Sequence, residues 1–300
     1  MEKISQTNKS FWSKLLRKDP FGNYIFLKRL LIGVVGSVTY GRYMIRNKLV
    51  VKGTEHIVDL PPRKVLFLSN HQTYFADAIA LYHIFSSVKW RIKDSIRNPF
   101  YLLWPRANNY YVAASETMKG GFVPKLLSLA GAVTVERSWR ADGKSVARTV
   151  DTSADSKIGK ALSTGWVISF PQGTTSPYAP IRKGTAHLIK KYNPIVIPVE
   201  IDGFRRAFDK KGLFFKKKNT EMSVTFKEPL IFDHESSIED IVKVIETSIG
   251  QSIPEGDWAR DLKQELEKKQ EEQRKRKEEK KLQAQMKNMG NRSKEVKGKR

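Results

Sequence analysis

An α/β fold, with a mostly parallel central sheet flanked by helices, is predicted by three features of this 300-residue sequence. Short β-prone apolar runs recur at residues 65–68, 132–135, 166–170 and 195–201. Helical patterns lie between them, at 78–85, 123–129 and 186–190. The runs are nearly unbroken in apolar character, as expected of strands covered on both faces, and strand–helix alternation supplies the crossovers that parallel pairing needs.

Residues 1–48 open the chain as a basic, aromatic and amphipathic segment containing Phe11-Trp12-Ser13-Lys14-Leu15-Leu16-Arg17-Lys18. Its uncharged run, residues 30–41, is flanked by Lys28, Arg29, Arg42, Arg46 and Lys48. As a helix that run reaches about 18 Å, against a hydrocarbon core of ~30 Å, so it cannot span a bilayer alone. Its cations suit an interfacial helix pair resting on anionic lipid; its length also suits a core helix of a soluble protein. Met1-Glu2-Lys3-Ile4-Ser5-Gln6 lacks the apolar stretch and cleavage site of a secretory signal, so the cytoplasmic side of a membrane is the expected location.

Leu49-Val50-Val51-Lys52-Gly53 predicts a short strand before a loop over 54–62, after which come the strand 65–68 and the helix 78–85. Trp90-Arg91-Ile92-Lys93 reads as another short strand. Residues 96–106 mix aromatics with cations, as either a membrane interface or a packed corner does. Tyr110 to Glu116 leads into helix 123–129, which Gly131 ends before strand 132–135. Residues 138–157 read as a loop entering a helix that runs to 162–165. Strand 166–170 ends in the polar loop 171–177; helix 186–190 and strand 195–201 follow. The alternating residues 222–226 read as an edge strand, and Ser236 or Ser237 as the cap of helix 238–248. From Trp258 a Lys/Glu/Gln run reads as a solvated helix or disordered tail. The chain thus divides into a membrane-associating segment 1–48, an α/β domain 49–257 and a charged tail 258–300.

The net charge of +24 calls for a polyanionic partner: nucleic acid, an anionic membrane surface or acidic substrates. Only +8 of it falls on residues 260–300, so the excess is no mere tail. The absence of cysteine excludes disulfides, thiolate metal sites and a cysteine nucleophile. No metal-ligand spacing occurs, nor a Gly-rich phosphate loop followed by Lys-Ser/Thr, so neither metal nor nucleoside triphosphate is expected. His56, His83, His187 and His234 stand in no motif and read as surface or satisfied core residues.

Chemistry is expected at the carboxyl end of strand 65–68, in Ser69-Asn70-His71-Gln72-Thr73-Tyr74-Phe75-Ala76-Asp77. Ligands and catalytic groups of open α/β sheets gather at such ends. A carboxylate at the start of the next helix can turn back onto one imidazole nitrogen and make His71 an oriented general base. The same spacing also suits Asn70 and Asp77 as helix caps.

Four motifs in order resemble those of the glycerolipid acyltransferases typified by 1-acylglycerol-3-phosphate acyltransferase, over roughly residues 49–231. They are Asn70-His71 with Asp77; Gly131-Ala132-Val133-Thr134-Val135-Glu136-Arg137; Phe170-Pro171-Gln172-Gly173-Thr174-Thr175-Ser176; and Ile195-Val196-Ile197-Pro198-Val199. The stretch Ala114-Ser115-Glu116 with Pro124 and Gly131 resembles a further family segment. The resemblance implies the family's fold and an acyl transfer from acyl-CoA or acyl-ACP, with no other cofactor, to a lysolipid hydroxyl, first of all that of 1-acyl-sn-glycerol 3-phosphate. It implies His71 and Asp77 as the catalytic pair. Arg137, Gln172, Gly173, Thr174 and Lys183 would bind substrate, Arg137 by forking onto phosphate. Expected partners are the two substrates, an anionic membrane surface on its cytoplasmic face and acyl carrier protein as an alternative donor, with no specific nucleic acid.

The chain departs from the family pattern in three places. Five residues rather than four separate His71 from Asp77, Gln172 replaces a Glu, and Thr175 replaces an Arg. The lost Glu and Arg leave open a non-phosphate acceptor such as an amino-acid lipid, with Arg182 or Lys183 replacing the charge. A basic membrane- or RNA-binding protein without catalysis is the alternative from another class.

Overall fold

The structure, a computed structural model, describes residues 17–118, 121–135, 152–233, 235–253, 268 and 271. The chain divides into two compact units, 1–138 with 147–252 and 139–146 with 253–300. Of the second only Ile253, Lys268 and Glu271 are described, so the expected tail lies almost wholly outside the described residues. Every strand and helix named below belongs to the first unit.

Among the described residues seven strands form one sheet: β1 (Lys48–Lys52), β2 (Val65–Ser69), β3 (Asn109–Ala114), β4 (Ala132–Val135), β5 (Trp166–Ser169), β6 (Ile195–Asp202) and β7 (Glu221–Phe226). Their spatial order is β1-β7-β6-β2-β5-β3-β4, and every neighbouring pair is parallel except β6 with β7. The helices are α1 (Ile25–Met44), α2 (Ala76–Lys89), α3 (Ser115–Met118), α4 (Phe122–Leu129), α5 (Thr152–Leu162), α6 (Lys183–Tyr192), α7 (Phe204–Ala207) and α8 (Ile238–Ser248).

β2 shows why the pattern folds this way. All five of its residues are buried, because helices cover both faces of the sheet. Val65 and Phe67 pack with α1 and α2 on one face, while Leu66 and Leu68 pack with α5, α6 and α8 on the other. Phe67 anchors the first layer, its ring centroid 4.5 Å from Phe85 and 5.1 Å from Trp166. The register sets Leu68 beside Ser169 of β5 and Ser69 beside Val199 of β6. The polar loops after β2, β5 and β6 therefore emerge together at one sheet edge.

The amino-terminal segment supplies one described helix, α1, not a pair; residues 1–16 lie outside the described residues. One face of α1, with Ile32, Gly36, Thr39 and Tyr43, is buried. The opposite stripe of Leu27, Leu30, Val34, Val38 and Ile45 is exposed. No helix among the described residues is long and apolar enough to cross a membrane.

His83 joins α1 and α2 to the 3₁₀ turn Pro99–Leu103, since its Nε2 lies 3.0 Å from Thr39 Oγ1 and its Nδ1 2.8 Å from the Tyr101 hydroxyl. Thr39 already donates its proton to the Val35 carbonyl, so it accepts from Nε2–H, and Tyr101 donates to Nδ1. His83 is thus the satisfied core histidine the sequence suggests. Burial lowers its pKa from 6.5 to about 3. Because the folded value lies below the unfolded one, its contribution to stability is complete above pH ~6.5 and is lost as pH falls toward ~3, at about 1.4 kcal/mol per pH unit. Between these limits stability should fall less steeply with falling pH in His83→Gln than in wild type, as equilibrium unfolding measures.

Two expectations are corrected. Trp90-Arg91-Ile92-Lys93 is a turn rather than a strand: it closes α2, and Arg91 adopts a φ of 60° there, incompatible with extended pairing. Residues 222–226 form β7, which lies between β1 and β6 rather than at an edge. Its alternation records one buried and one half-covered face, while the Lys-flanked β1 takes the outer position. Tyr110 to Ala114, for which the sequence gives no element, belongs to a strand, β3, which pairs with both β4 and β5.

Candidate active site

β2 delivers Asn70 and His71 into the space between β5 and β6. Asn70 leaves no ambiguity about its role: its amide donates to the Ile201 carbonyl at 2.8 Å and its Oδ1 accepts from the Ile201 N–H at 2.7 Å. It continues the β2–β6 ladder through a side chain and does not cap α2. Asp77 lies in the first turn of α2 with its side chain fully buried. Its Oδ2 accepts from His71 Nδ1 at 3.0 Å, Gln72 N at 2.6 Å and Thr73 N at 3.0 Å. Its Oδ1 accepts from the Thr73 hydroxyl at 2.7 Å. The extra residue between His71 and Asp77 is absorbed in a loop wrapped around this one carboxylate, so the longer spacing still forms the dyad.

The His71 ring stacks on Phe170, centroid to centroid 3.9 Å with planes 21° apart. Phe170 directly follows β5, which is why an aromatic opening the Phe-Pro-x-Gly-Thr loop can fix the imidazole plane. With Nδ1 held by Asp77, Nε2 has no hydrogen-bond partner among the described residues. His71 lines a cleft of about 730 Å³, to which Tyr74, Phe170, Gly173, Thr174, Arg182 and Lys183 also contribute. Tyr74 and Tyr111 border both this cleft and a smaller apolar cavity of about 40 Å³ between α1 and α2.

Gly173 has φ +62°, and a Cβ there would meet the Arg182 guanidinium at 2.5 Å, so the cation lies directly against the loop backbone. Thr174 turns its hydroxyl toward Ser176 N and Oγ, both at 3.3 Å. Lys183 stands on the cleft rim, exposed, with its ammonium 2.5 Å from Glu239. The pairing pulls the Glu239 carboxyl below its ordinary pKa. Across the cleft, Lys191 pairs with Asp155, whose hydrogen bond raises the lysine's pKa. Arg137 lies outside the described residues; Val135, the last residue of β4, lines the cleft.

Gln172 is the one predicted binding residue that the structure places elsewhere. Only 3% exposed, it is absent from the cleft lining, and its amide donates to the Ala179 carbonyl at 2.9 Å and Gln251 Oε1 at 2.7 Å. Two acceptors facing one position demand a donor, which explains an amide where the family has a carboxylate. Gln172→Glu should therefore cost about 2–4 kcal/mol of stability, since it sets a charge against two acceptors in a buried site. Thermal unfolding of the variant checks this.

Thr175 is also buried, 7% exposed. A guanidinium nonetheless reaches it: Arg205 in α7 donates from Nη2 to the Thr175 carbonyl at 2.6 Å, and its backbone N–H donates to Gln72 Oε1 at 3.0 Å. Burial lowers the Arg205 pKa, with the charge of Asp77 acting in the opposite direction. Arg205 and Gln72 together tie the loop after β6 to those after β2 and β5. Neither was evident from the sequence, because Arg205 stands 133 positions from Gln72 and 30 from Thr175.

The profile of the family described as Acyltransferase matches residues 48–202, just over half of the chain. Among solved structures, the chain is similar to the 1-acyl-sn-glycerophosphate (LPA) acyltransferase PlsC from Thermotoga maritima. Identity is 19%, with 77% of this chain and 78% of that chain covered, at a TM-score of 0.44. No curated relative matches.

Proposed function

Because the chain belongs to the acyltransferase family, we propose that it moves a fatty acyl group from acyl-CoA or acyl-ACP to the hydroxyl of a lysolipid. The favoured acceptor is 1-acyl-sn-glycerol 3-phosphate, giving phosphatidic acid. The observation that carries this reading is the His71–Asp77 contact of 3.0 Å beside a cleft that Arg182 and Lys183 line.

His71 Nε2 takes the proton of the acceptor hydroxyl as its oxygen attacks the thioester carbon. The tetrahedral intermediate then expels the thiolate as the C–S bond breaks, and the imidazolium returns the proton to sulfur. Asp77 holds the tautomer with Nδ1–H and stabilises the imidazolium between the two steps. Ester and thiol are the products, and no acyl-enzyme is formed.

Arg182, Lys183 and, from its motif, Arg137 are assigned to the phosphate of acceptor or carrier, with Gly173 and Thr174 shaping the loop between them. Gln172 and Thr175 sit at buried positions outside the cleft lining, while Arg182 and Lys183 line it. That favours a phosphate acceptor over an amino-acid lipid. A peripheral seat on the cytoplasmic face of the membrane is supported by the exposed apolar stripe of α1 and the net charge of +24.

The test is an acceptor panel with one labelled thioester and chromatographic analysis of the product. Fastest labelling of phosphatidic acid supports the reading. Faster labelling of an amino-acid lipid would move the headgroup assignment, and no thioester consumption with any acceptor would contradict acyl transfer.

A further inference from the structure

The segment between α7 and β7 is a built loop with an unusual surface. Phe208 bridges to Phe215, Asp209 N donates to the Phe214 carbonyl at 2.9 Å, and Asp209 Oδ1 accepts from Leu213 N and Phe214 N at 2.8 and 2.9 Å. Around this frame Lys210, Lys211, Lys216, Lys217 and Lys218 are all exposed, and Phe214 among them is 72% exposed. Nothing in the fold or the dyad calls for an aromatic ring in water amid five lysines.

Two sets of contacts locate the loop. Arg42 of α1 donates to the Leu213 carbonyl at 2.6 Å and lies over the Phe215 ring. Arg42 lies one turn beyond Val38, so the loop packs against the carboxyl-terminal end of the helix that carries the exposed apolar stripe. On the other side, Tyr74 N donates to the Lys210 carbonyl at 3.0 Å and Phe75 N to the Lys211 carbonyl at 3.1 Å. Gly212, with φ +76°, presses so closely that a Cβ would meet Ala76 N at 2.6 Å. Tyr74, in turn, lines the cleft with His71.

We infer that residues 209–218 form a dock for an anionic phospholipid bilayer, with Phe214 entering the interface, the lysines on headgroup phosphates, and the backbone contacts to Tyr74 and Phe75 seating the catalytic loop at the lipid surface. The inference rests on the reading of the protein as a lipid acyltransferase. An aromatic ring ringed by long cationic stems is the composition that lipid interfaces hold, and packing against the helix that carries the apolar stripe favours a bilayer over a protein partner. Lysines near an anionic leaflet each strengthen binding, and salt screens them.

The test is co-sedimentation of the full chain with phosphatidylglycerol-containing and with pure phosphatidylcholine vesicles. The triple variant K216Q/K217Q/K218Q should bind the anionic vesicles about 10²-fold more weakly at low salt and lose little on the neutral ones. Phe214→Ser should weaken both, and thermal unfolding at the wild-type temperature shows that the variants fold. Binding of the triple variant to anionic vesicles within about twofold of wild type overturns the dock. So does loss of binding to acyl carrier protein with vesicle binding intact. Acyl transfer is read in the same samples: vesicle-bound wild type that consumes no thioester contradicts the enzymatic reading while leaving the dock in place.

Discussion

Replacing His71 by Ala should lower kcat by about 10²-fold to 10⁴-fold, the range lost with a positioned general base. The fold should survive the change. Asp77 keeps three of its four donors, Gln72 N, Thr73 N and the Thr73 hydroxyl, so no buried charge is stranded. The ring is 13% exposed, and its removal uncovers one face of Phe170 without opening a sealed cavity. Circular dichroism and thioester turnover measured on the same preparation separate loss of chemistry from loss of structure. Wild-type turnover by the variant would remove His71 from the mechanism.

Asp77→Asn should cost about 10³-fold in kcat, because the imidazolium formed during transfer loses the buried negative charge that stabilises it. Its geometry makes this a sharper test than truncation. Asn can keep its carbonyl oxygen toward the two backbone N–H groups and His71 while its amide faces the Thr73 hydroxyl, which can rotate to accept. The loop thus survives and the charge alone goes. Asp77→Ala, by contrast, leaves those buried donors unpaired and should destabilise the fold by about 3 kcal/mol or more. A kcat loss in Asp77→Asn without a matching fall in melting temperature distinguishes support of the imidazolium from simple loop support. If both variants lose stability and activity in parallel, Asp77 is structural alone.

Most of the architecture was legible because β2, β4, β5 and β6 announce themselves as apolar runs divided by helices, a signal local to each segment. The position of β7 was not, since an alternating strand says that one face is covered but not which neighbours it has. Trp90 to Lys93 has strand composition yet turns, because the end of α2 imposes a positive φ at Arg91 that no propensity records. The pairing of His71 with Asp77 was legible only with the other motifs of the family resemblance, because the same spacing suits helix caps, and only the structure shows how one carboxylate gathers the longer loop. Gln172 misled for a physical reason: sequence marks a loop position but not its orientation, and this one faces Ala179 and Gln251 beneath the loop. Gln72, Phe170 and Arg205 act through contacts to other strand ends, so their roles exist only once β2, β5 and β6 are side by side.

The central claim is direct transfer from thioester to lipid hydroxyl on a single imidazole. A rapid-quench single turnover with acyl-labelled thioester and 1-acyl-sn-glycerol 3-phosphate tests it most closely. The account predicts that label passes to the lipid in step with thiol release, with none on the denatured protein at any time. Label retained covalently on the protein before lipid product appears would contradict it.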